Sequence, residues 1–261
     1  MSQQTGKEIR LSKVIDPDAV SLIVNADRGL ALGPTAGLVE MRSGLESIAE
    51  AGVEAITLSP GEAARNLEIF MGKRAPALLV RSDWSNFERD SSFPLPRKET
   101  THVLVAEADH AAYLGACGLV ATFFVGYRDD RDEADNLESI SRLAAGCFQF
   151  GMPLLAEAKP FGERVSERNY VDSLKMAARM ALEAGSDAVI CPYPGDASSM
   201  GDIIEASGGA PVILLVEEID GEAIADCIDS GISGLVLSGT AVGEGATSAI
   251  GEVRQIMEGC T

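Results

Sequence analysis

A single lysine lies where the sequence could support imine chemistry. Lys159 follows the apolar run Pro153–Ala156, which is typical of a buried strand. A neutral primary amine can attack a carbonyl carbon, become an iminium and then accept the electrons of a breaking carbon–carbon bond. Burial lowers a lysine pKa from about 10.4 and so favours the neutral form. The other five of the six lysines fall in the N-terminal tail, helices or long loops, so Lys159 is the candidate Schiff-base residue.

Other roles for this lysine stay open at this level. Lys159 could bind substrate or act electrostatically, or it could form a structural ion pair with Glu157, Asp27 or Asp196. Asp27 and Glu157 could themselves be an acid and base pair that needs no covalent intermediate.

The secondary-structure elements that position these residues share a recurring sequence pattern, in which a predicted helix ends at a glycine and a short apolar strand follows. The pattern occurs four times: Glu50–Leu58, Gly115–Phe124, Glu183–Ile190 and Asp229–Leu237. Further apolar runs of strand length are Ser21–Asn25, Pro76–Val80, Pro153–Ala158 and Pro211–Val216. Nearly continuous apolar strands indicate a sheet that is covered on both faces.

Helical patterns alternate with these strands. They span Gly37–Ala51, Gly61–Phe70, Glu107–Gly115, Glu133–Phe150, Asn169–Ala184, Ala197–Ser207, Glu222–Ser230 and Ser248–Glu258. Eight strand and helix units predict a single (β/α)₈ TIM barrel over residues 1–261, with residues 1–18 as an N-terminal extension. The active site of such a barrel lies at the carboxyl ends of its strands.

Composition excludes several classes of partner. The formal charge is −19 and basic residues are scattered, so neither nucleic acid nor an anionic membrane is expected as a partner. No apolar run has the length of a spanning helix, and the polar start is unlike a signal peptide. Five widely spaced cysteines indicate reduced thiols, so we expect a cytoplasmic protein and, as is common for barrels, a homo-oligomer.

Metal and cofactor chemistry find no support in the sequence. The two histidines, His102 and His110, are predicted at a helix start and on its surface, too few for a zinc site with several imidazole ligands. The first strand is not followed by a glycine-rich dinucleotide motif, and Cys191 has no nearby base in sequence to activate it. We therefore expect neither a cofactor nor a metal.

Three phrases at strand ends resemble the archaeal-type class I fructose-bisphosphate aldolases. They are Asp27-Arg28-Gly29 with Gly33-Pro34 and Gly37-Leu38, the turn Pro160-Phe161-Gly162, and Ala188–Asp196, which contains Tyr193-Pro194-Gly195-Asp196. That group is related to deoxyribose-phosphate and tagatose-bisphosphate aldolases and includes aminodideoxyheptulosonate synthases. The resemblance extends from about Ser21 to Val242. It implies a site role for Asp27 in orienting substrate hydroxyls or relaying protons, against the alternative of a helix or loop cap, and it adds Tyr193 as a candidate catalytic residue.

The departures from this family concern its reactive residues. Arg28 stands in place of the family's histidine, and Ile190 stands where the family has its Schiff-base lysine. Lys159 stands on the preceding strand, where the family has an acid/base tyrosine. An isoleucine cannot form an imine, so the resemblance implies that any Schiff base has moved to Lys159.

Substrate binding is predicted from the remaining strand ends. The candidate residues are Arg28, Arg81, Glu217, Ser238 and Gly239. The family's glycine-rich phosphate turns are replaced by Val216-Glu217-Glu218 and Ser238-Gly239-Thr240, whose carboxylates and missing arginine weaken a phosphate site. Arg28, Arg81 and Arg128 could bind a carboxylate or phosphate, or form salt bridges at the rim.

These observations predict a divergent class I aldolase-like carbon–carbon lyase or synthase that acts on a small keto or sugar-derived substrate. Two alternatives remain. One is a barrel isomerase or lyase without covalent catalysis. The other is a non-catalytic aldolase paralogue that serves as a binding or assembly subunit.

Overall fold

Eight parallel strands close into a barrel. The computed structural model describes residues 3–34, 41–239 and 245–260. The barrel strands are β1 (Ser21–Asn25), β2 (Ala55–Leu58), β3 (Ala77–Arg81), β6 (Gly118–Val125), β7 (Leu154–Pro160), β8 (Ala188–Pro192), β9 (Val212–Val216) and β10 (Gly234–Leu237). Ile23 of β1 pairs with both Ala55 and Val236, and this pairing closes the ring. The predicted TIM barrel is confirmed.

Helices separate the barrel strands. They are α1 (Gln3–Leu11), α2 (Gly29–Leu32), α3 (Met41–Glu50), α4 (Pro60–Arg65), α5 (Ala108–Tyr113), α6 (Asp130–Phe150), α7 (Tyr170–Glu183), α8 (Ala197–Ala206), α9 (Gly221–Asp229) and α10 (Ala246–Gly259). Among the described residues, no helix combines the length and the apolar character needed to span a membrane.

The strands carry two separate apolar faces because successive side chains point to opposite sides. One face packs against the helices and forms the larger core cluster, which includes Leu22 and Val24. The other face fills the barrel, where Ile23, Leu155 and Ile190 belong to a second cluster. Polar residues follow on this inner face toward the carboxyl ends of the strands, so the chain changes from apolar packing to a polar site along the barrel axis.

The predicted extension contains a helix that the sequence interpretation did not specify. Val14 and Ile15, which follow α1, are buried in the inner cluster and close the amino-terminal end of the barrel. Lys7 of α1 forms a salt bridge of 2.9 Å with Asp187. This lysine, predicted in a tail, is therefore a buried structural residue.

Two predicted helices differ from those observed. The helix predicted over Gly61–Phe70 ends at Arg65, and a 3-10 turn covers Leu67–Phe70. Asn66 separates the two because its Nδ2 donates to the carbonyl of Glu62 at 2.9 Å. The first four residues of the helix predicted over Gly37–Ala51 lie outside the described residues.

A short antiparallel hairpin leaves the barrel after β3. The segment Ser82–Thr101, predicted as a loop, begins with β4 (Asp83–Ser85), which pairs with β5 (His102–Leu104). His102 therefore lies in a strand, and its predicted place at a helix start is wrong. His110 lies exposed on α5, consistent with its predicted surface position.

Candidate active site

Seven of the nine predicted site residues line one cavity of about 70 Å³ at the carboxyl ends of the barrel strands. They are Asp27, Arg28, Arg81, Glu157, Lys159, Glu217 and Ser238. The hairpin adds Trp84, Phe87 and Glu88 to the wall. The cavity is small beside the 300–1,000 Å³ of typical ligand sites, so the hairpin leaves little room at the mouth of the barrel.

The centre of the site is the buried Arg81 guanidinium. Its Nε donates to Asp27 Oδ2 at 2.5 Å, and its Nη2 donates to Glu157 Oε1 at 2.7 Å. Its Nη1 lies 3.4 Å from Thr122 Oγ1 and 3.6 Å from Asp83 Oδ1. Arg81 thus bridges carboxylates from three segments, and its predicted role in substrate binding competes with these contacts.

The pKa values of two of these carboxyl groups are shifted in opposite directions. Burial raises the pKa of Asp27, and the nearby Glu157 charge adds to this, although Arg81 opposes both effects. Burial alone would raise the pKa of Glu157 too, but the charge and hydrogen bond of Arg81 and the charge of Lys159 lower it. A pair of carboxyl groups with separated pKa values is suited to act as an acid and a base.

Neighbouring polar residues fix Glu157 in place. Asn25 Nδ2 donates to Glu157 Oε1 at 3.0 Å, and the Thr122 hydroxyl lies 3.5 Å from Oε2. Asn25 is a further lining residue, and its buried Oδ1 has no hydrogen-bond partner in the described structure.

The Lys159 amine lies over an aromatic ring. Its Nζ is 4.4 Å from the centroid of Phe87, a distance suited to a cation–π contact. The Phe87 ring in turn packs edge-on against Phe124 and Phe161, with centroids 5.2 and 5.6 Å away. Within the described ranges no carboxylate oxygen lies within salt-bridge distance of Lys159.

The ion pairs considered for Lys159 are therefore not formed, because each of the three carboxylates has another partner. Asp27 and Glu157 bind Arg81. Asp196 caps α8, accepting from the Ser199 amide at 2.8 Å. The cap considered for Asp27 is replaced by its bond to Arg81.

Arg28 connects the first loop to the hairpin. It forms a salt bridge with Glu88 across the mouth of the cavity. Gly239, at φ +64°, lies beside it: a Cβ at this position would come within 2.7 Å of Arg28 Nη1. Arg128 is instead 85% exposed, 4.0 Å from Glu163, and forms the rim salt bridge that was one of its two predicted roles.

Three residues at the sixth barrel strand do not reach the cavity. Ile190 is buried inside the barrel. Tyr193 packs against the outer core and is not among the lining residues. The Cys191 thiol is buried, which raises its pKa to about 12, so it is a poor nucleophile.

Several lining residues went unrecognised in the sequence. Thr122 lies inside the apolar run Gly115–Phe124, and its inward position follows only from strand alternation. Phe87 and Glu88 belong to an irregular loop, where the sequence carries no signal of their location.

Comparisons with known proteins agree with this architecture. Residues 21–234 match the DeoC/LacD family of aldolases. Among similar proteins, one named an uncharacterized aldolase from Saccharolobus solfataricus is 27% identical over 89% of this chain and 86% of its own length. A 2-amino-3,7-dideoxy-D-threo-hept-6-ulosonate synthase from Halobacterium salinarum is 27% identical over 93% of this chain and 87% of its own.

Solved structures show the same fold. An archaeal fructose-1,6-bisphosphate aldolase, whose catalytic lysine was captured as a carbinolamine, superposes with a TM-score of 0.78 at 20% identity and covers 95% of this chain and 98% of its own. The family match covers most of the barrel, while the relatives share little more than a quarter of its residues. The chain therefore belongs to the DeoC/LacD family of aldolases, as a divergent member.

Proposed function

We propose that this protein is a carbon–carbon lyase or aldol-type synthase that forms a Schiff base between Lys159 and a small keto or sugar-derived substrate. The observation that carries the proposal is the position of this amine: of the six lysines, all of which lie within the described ranges, only Lys159 lines the cavity, beside an acid and base pair of carboxyl groups. The names of the relatives and the carbinolamine of the solved aldolase support the same chemistry.

In the proposed cleavage, the neutral Lys159 amine attacks the substrate carbonyl and forms a carbinolamine. Protonated Asp27 donates its proton to the carbinolamine hydroxyl, which leaves as water and gives an iminium. Glu157 removes the proton of a hydroxyl two carbons from the iminium carbon. The intervening carbon–carbon bond then breaks, its electrons neutralise the iminium to an enamine, and an aldehyde leaves. Protonation of the enamine carbon and hydrolysis restore the free amine. The Phe87 face stabilises the positive iminium.

Borohydride trapping tests the proposal. The protein is incubated with dihydroxyacetone or pyruvate and reduced, so that any iminium becomes a stable secondary amine, and the modified peptide is mapped by mass spectrometry. We expect the adduct on Lys159, and its loss in Lys159→Met. Lys175→Met is the matched control, because Lys175 pairs with Asp202 on the outer helices, 3.2 Å away. The proposal would be overturned if neither ketone gave an adduct, or if the adduct were found on another lysine.

The separated pKa values of Asp27 and Glu157 favour one alternative, an isomerase or lyase that uses this pair without a covalent intermediate. A Lys159→Met variant that keeps its activity would establish the alternative. Loss of activity in Asp27→Asn together with retention in Lys159→Met separates the two mechanisms most sharply.

We also propose that the protein works in the cytoplasm as a homo-oligomer on a small-molecule substrate. Support comes from its five free cysteines and from large exposed side chains on its helices, of which Tyr113 is 90% exposed and Phe148 51%. Light scattering of the purified protein measures its mass, and a monomer across the micromolar range would contradict the assembly.

A further inference from the structure

The hairpin places a buried acid and histidine behind Arg81. His102 Nε2 lies 2.9 Å from Asp83 Oδ2, and both side chains are almost completely buried. The same oxygen accepts the Thr122 amide at 2.8 Å. Asn136 approaches the His102 ring at 3.2 Å. Two groups thus hold Asp83 Oδ2, the His102 ring and the Thr122 amide, and Asn136 in turn contacts the His102 ring.

The second oxygen of Asp83 faces the guanidinium. Asp83 Oδ1 has no hydrogen bond in the described structure and lies 3.6 Å from Arg81 Nη1. Burial alone would raise the pKa of Asp83, but the His102 hydrogen bond and the Arg81 charge lower it. Asp83 therefore adds a third negative charge beside Arg81.

The charges of this cluster do not balance. Arg81 supplies one positive charge to the three carboxyl groups that it contacts, Asp27, Asp83 and Glu157, which would carry three negative charges if all were ionised. Arg28 and Glu88 form a salt bridge with each other, and Glu217 follows β9, which lies opposite β3 in the barrel. A buried site disfavours uncompensated negative charge, and Asp27 is the one carboxyl group of the three whose pKa is raised, while the pKa values of Asp83 and Glu157 are lowered.

We propose that Asp83 and His102 are positioning residues that hold the Arg81 guanidinium between the catalytic carboxyl groups and so favour the protonated form of Asp27. Asp83 acts through Arg81, because its charge competes with Asp27 for the same cation. His102 acts through Asp83, because its hydrogen bond satisfies the oxygen that would otherwise turn toward Arg81. The catalytic meaning of this arrangement rests on the function proposed above.

The direct test is a carboxyl carbon NMR titration of Asp27, which needs no substrate. Asp83→Asn keeps an oxygen for the Thr122 amide and removes the charge. Arg81 then has one carboxylate fewer beside it and stabilises the ionised form of Asp27 more strongly. The titration midpoint of Asp27 should therefore fall by roughly one pH unit. In His102→Leu, Asp83 loses a donor and turns to Arg81, so the Asp27 midpoint should rise. Val103→Thr, on the exposed face of the same strand, is the control and should leave the midpoint unchanged.

A second readout uses the pH dependence of borohydride trapping. Asp27 must be protonated to expel water, so the descending limb of the profile should move to lower pH in Asp83→Asn and to higher pH in His102→Leu. A purely structural role would lower the thermal midpoint of both variants and leave both profiles in place. If Asp83→Asn does not fold, the expected rise in His102→Leu decides, and its absence overturns the proposal.

No movement of the Asp27 midpoint, or movement in the same direction in both variants, would also overturn it. Failure of the Schiff base is distinguishable from these outcomes. Opposite shifts of the Asp27 midpoint without any trapped adduct would retain the positioning pair and remove only the covalent chemistry.

Discussion

Replacing Arg81 with methionine should lower the free energy of unfolding by about 3–5 kcal/mol at neutral pH, because it leaves buried charges without their partner. The structure supports this magnitude. Arg81 makes two charged hydrogen bonds, of 2.5 and 2.7 Å, to side chains that are 7% and 11% exposed. Hydrogen bonds to charged groups contribute about 1.5–3 kcal/mol each, so two of them account for the expected loss.

A matched control separates burial from the mere number of contacts. Arg164 also binds two carboxylates, Asp130 at 2.6 Å and Glu133 at 3.2 Å, but its side chain is 47% exposed. Arg164→Met should therefore lose no more than the ~0–1 kcal/mol that is typical of surface pairs. Urea unfolding of both variants measures the difference. Equal losses in the two variants would refute the assignment of Arg81 as the buried centre of the site.

The pH dependence supplies a second criterion. In the wild type the pKa of Glu157 is lower in the folded than in the unfolded protein, so Glu157 stabilises the fold at pH values above its unfolded-state pKa. This stabilisation is lost as the pH falls through the folded-state pKa. Without Arg81 the buried carboxyl groups have raised pKa values, so their destabilising effect grows as the pH rises through those values. The difference in the free energy of unfolding between Arg81→Met and the wild type should thus become smaller as the pH is lowered from neutral to about pH 5. A difference that does not change over this window would contradict the electrostatic explanation.

Three further perturbations probe the surroundings of the site. Glu88→Gln removes the charge that holds Arg28 across the cavity mouth, so borohydride trapping of dihydroxyacetone should accelerate several-fold; an unchanged rate would show that this contact does not limit entry. Gly162→Ala should destabilise the barrel by more than about 1 kcal/mol, as measured by urea unfolding, because φ is +130° and the new Cβ would lie 2.3 Å from the Gly126 carbonyl oxygen. The three buried thiols should react with a disulfide reagent only when the protein unfolds, and fast labelling of any of them in the native protein would contradict their burial. These thiols belong to Cys147, Cys191 and Cys227.

Much of the barrel could be predicted because each unit carries a local signal. The glycines that end helices in the recurring sequence pattern, such as Gly52, Gly185 and Gly231, have positive φ and are followed by buried strands. Continuous apolar runs such as Pro211–Val216 are required by a sheet with both faces covered. The interruption at Asn66 was missed because a single side-chain hydrogen bond decides it.

Within the site, strand alternation separates the residues that reach the cavity from one that does not. Lys159 follows the inward-facing Glu157 by two residues, and Asp27 follows Asn25 by two, so both face the barrel axis. Tyr193 follows the inward Ile190 by three and packs on the other side. The hairpin could not be predicted, because its three-residue strands are stabilised by the tertiary contacts of Asp83 and His102 rather than by a local pattern.

The hairpin after β3 has a consequence for how new specificities could arise on this scaffold. Barrels of this type usually change substrates by exchanging loops while the chemistry stays on the strands. Here the same excursion of the chain narrows the cavity with Phe87 and Glu88 and carries Asp83 against Arg81. Transplanting a hairpin from a relative would thus alter proton distribution along with cavity shape, so grafts that preserve Asp83 and His102 should retain chemistry that grafts lacking them lose.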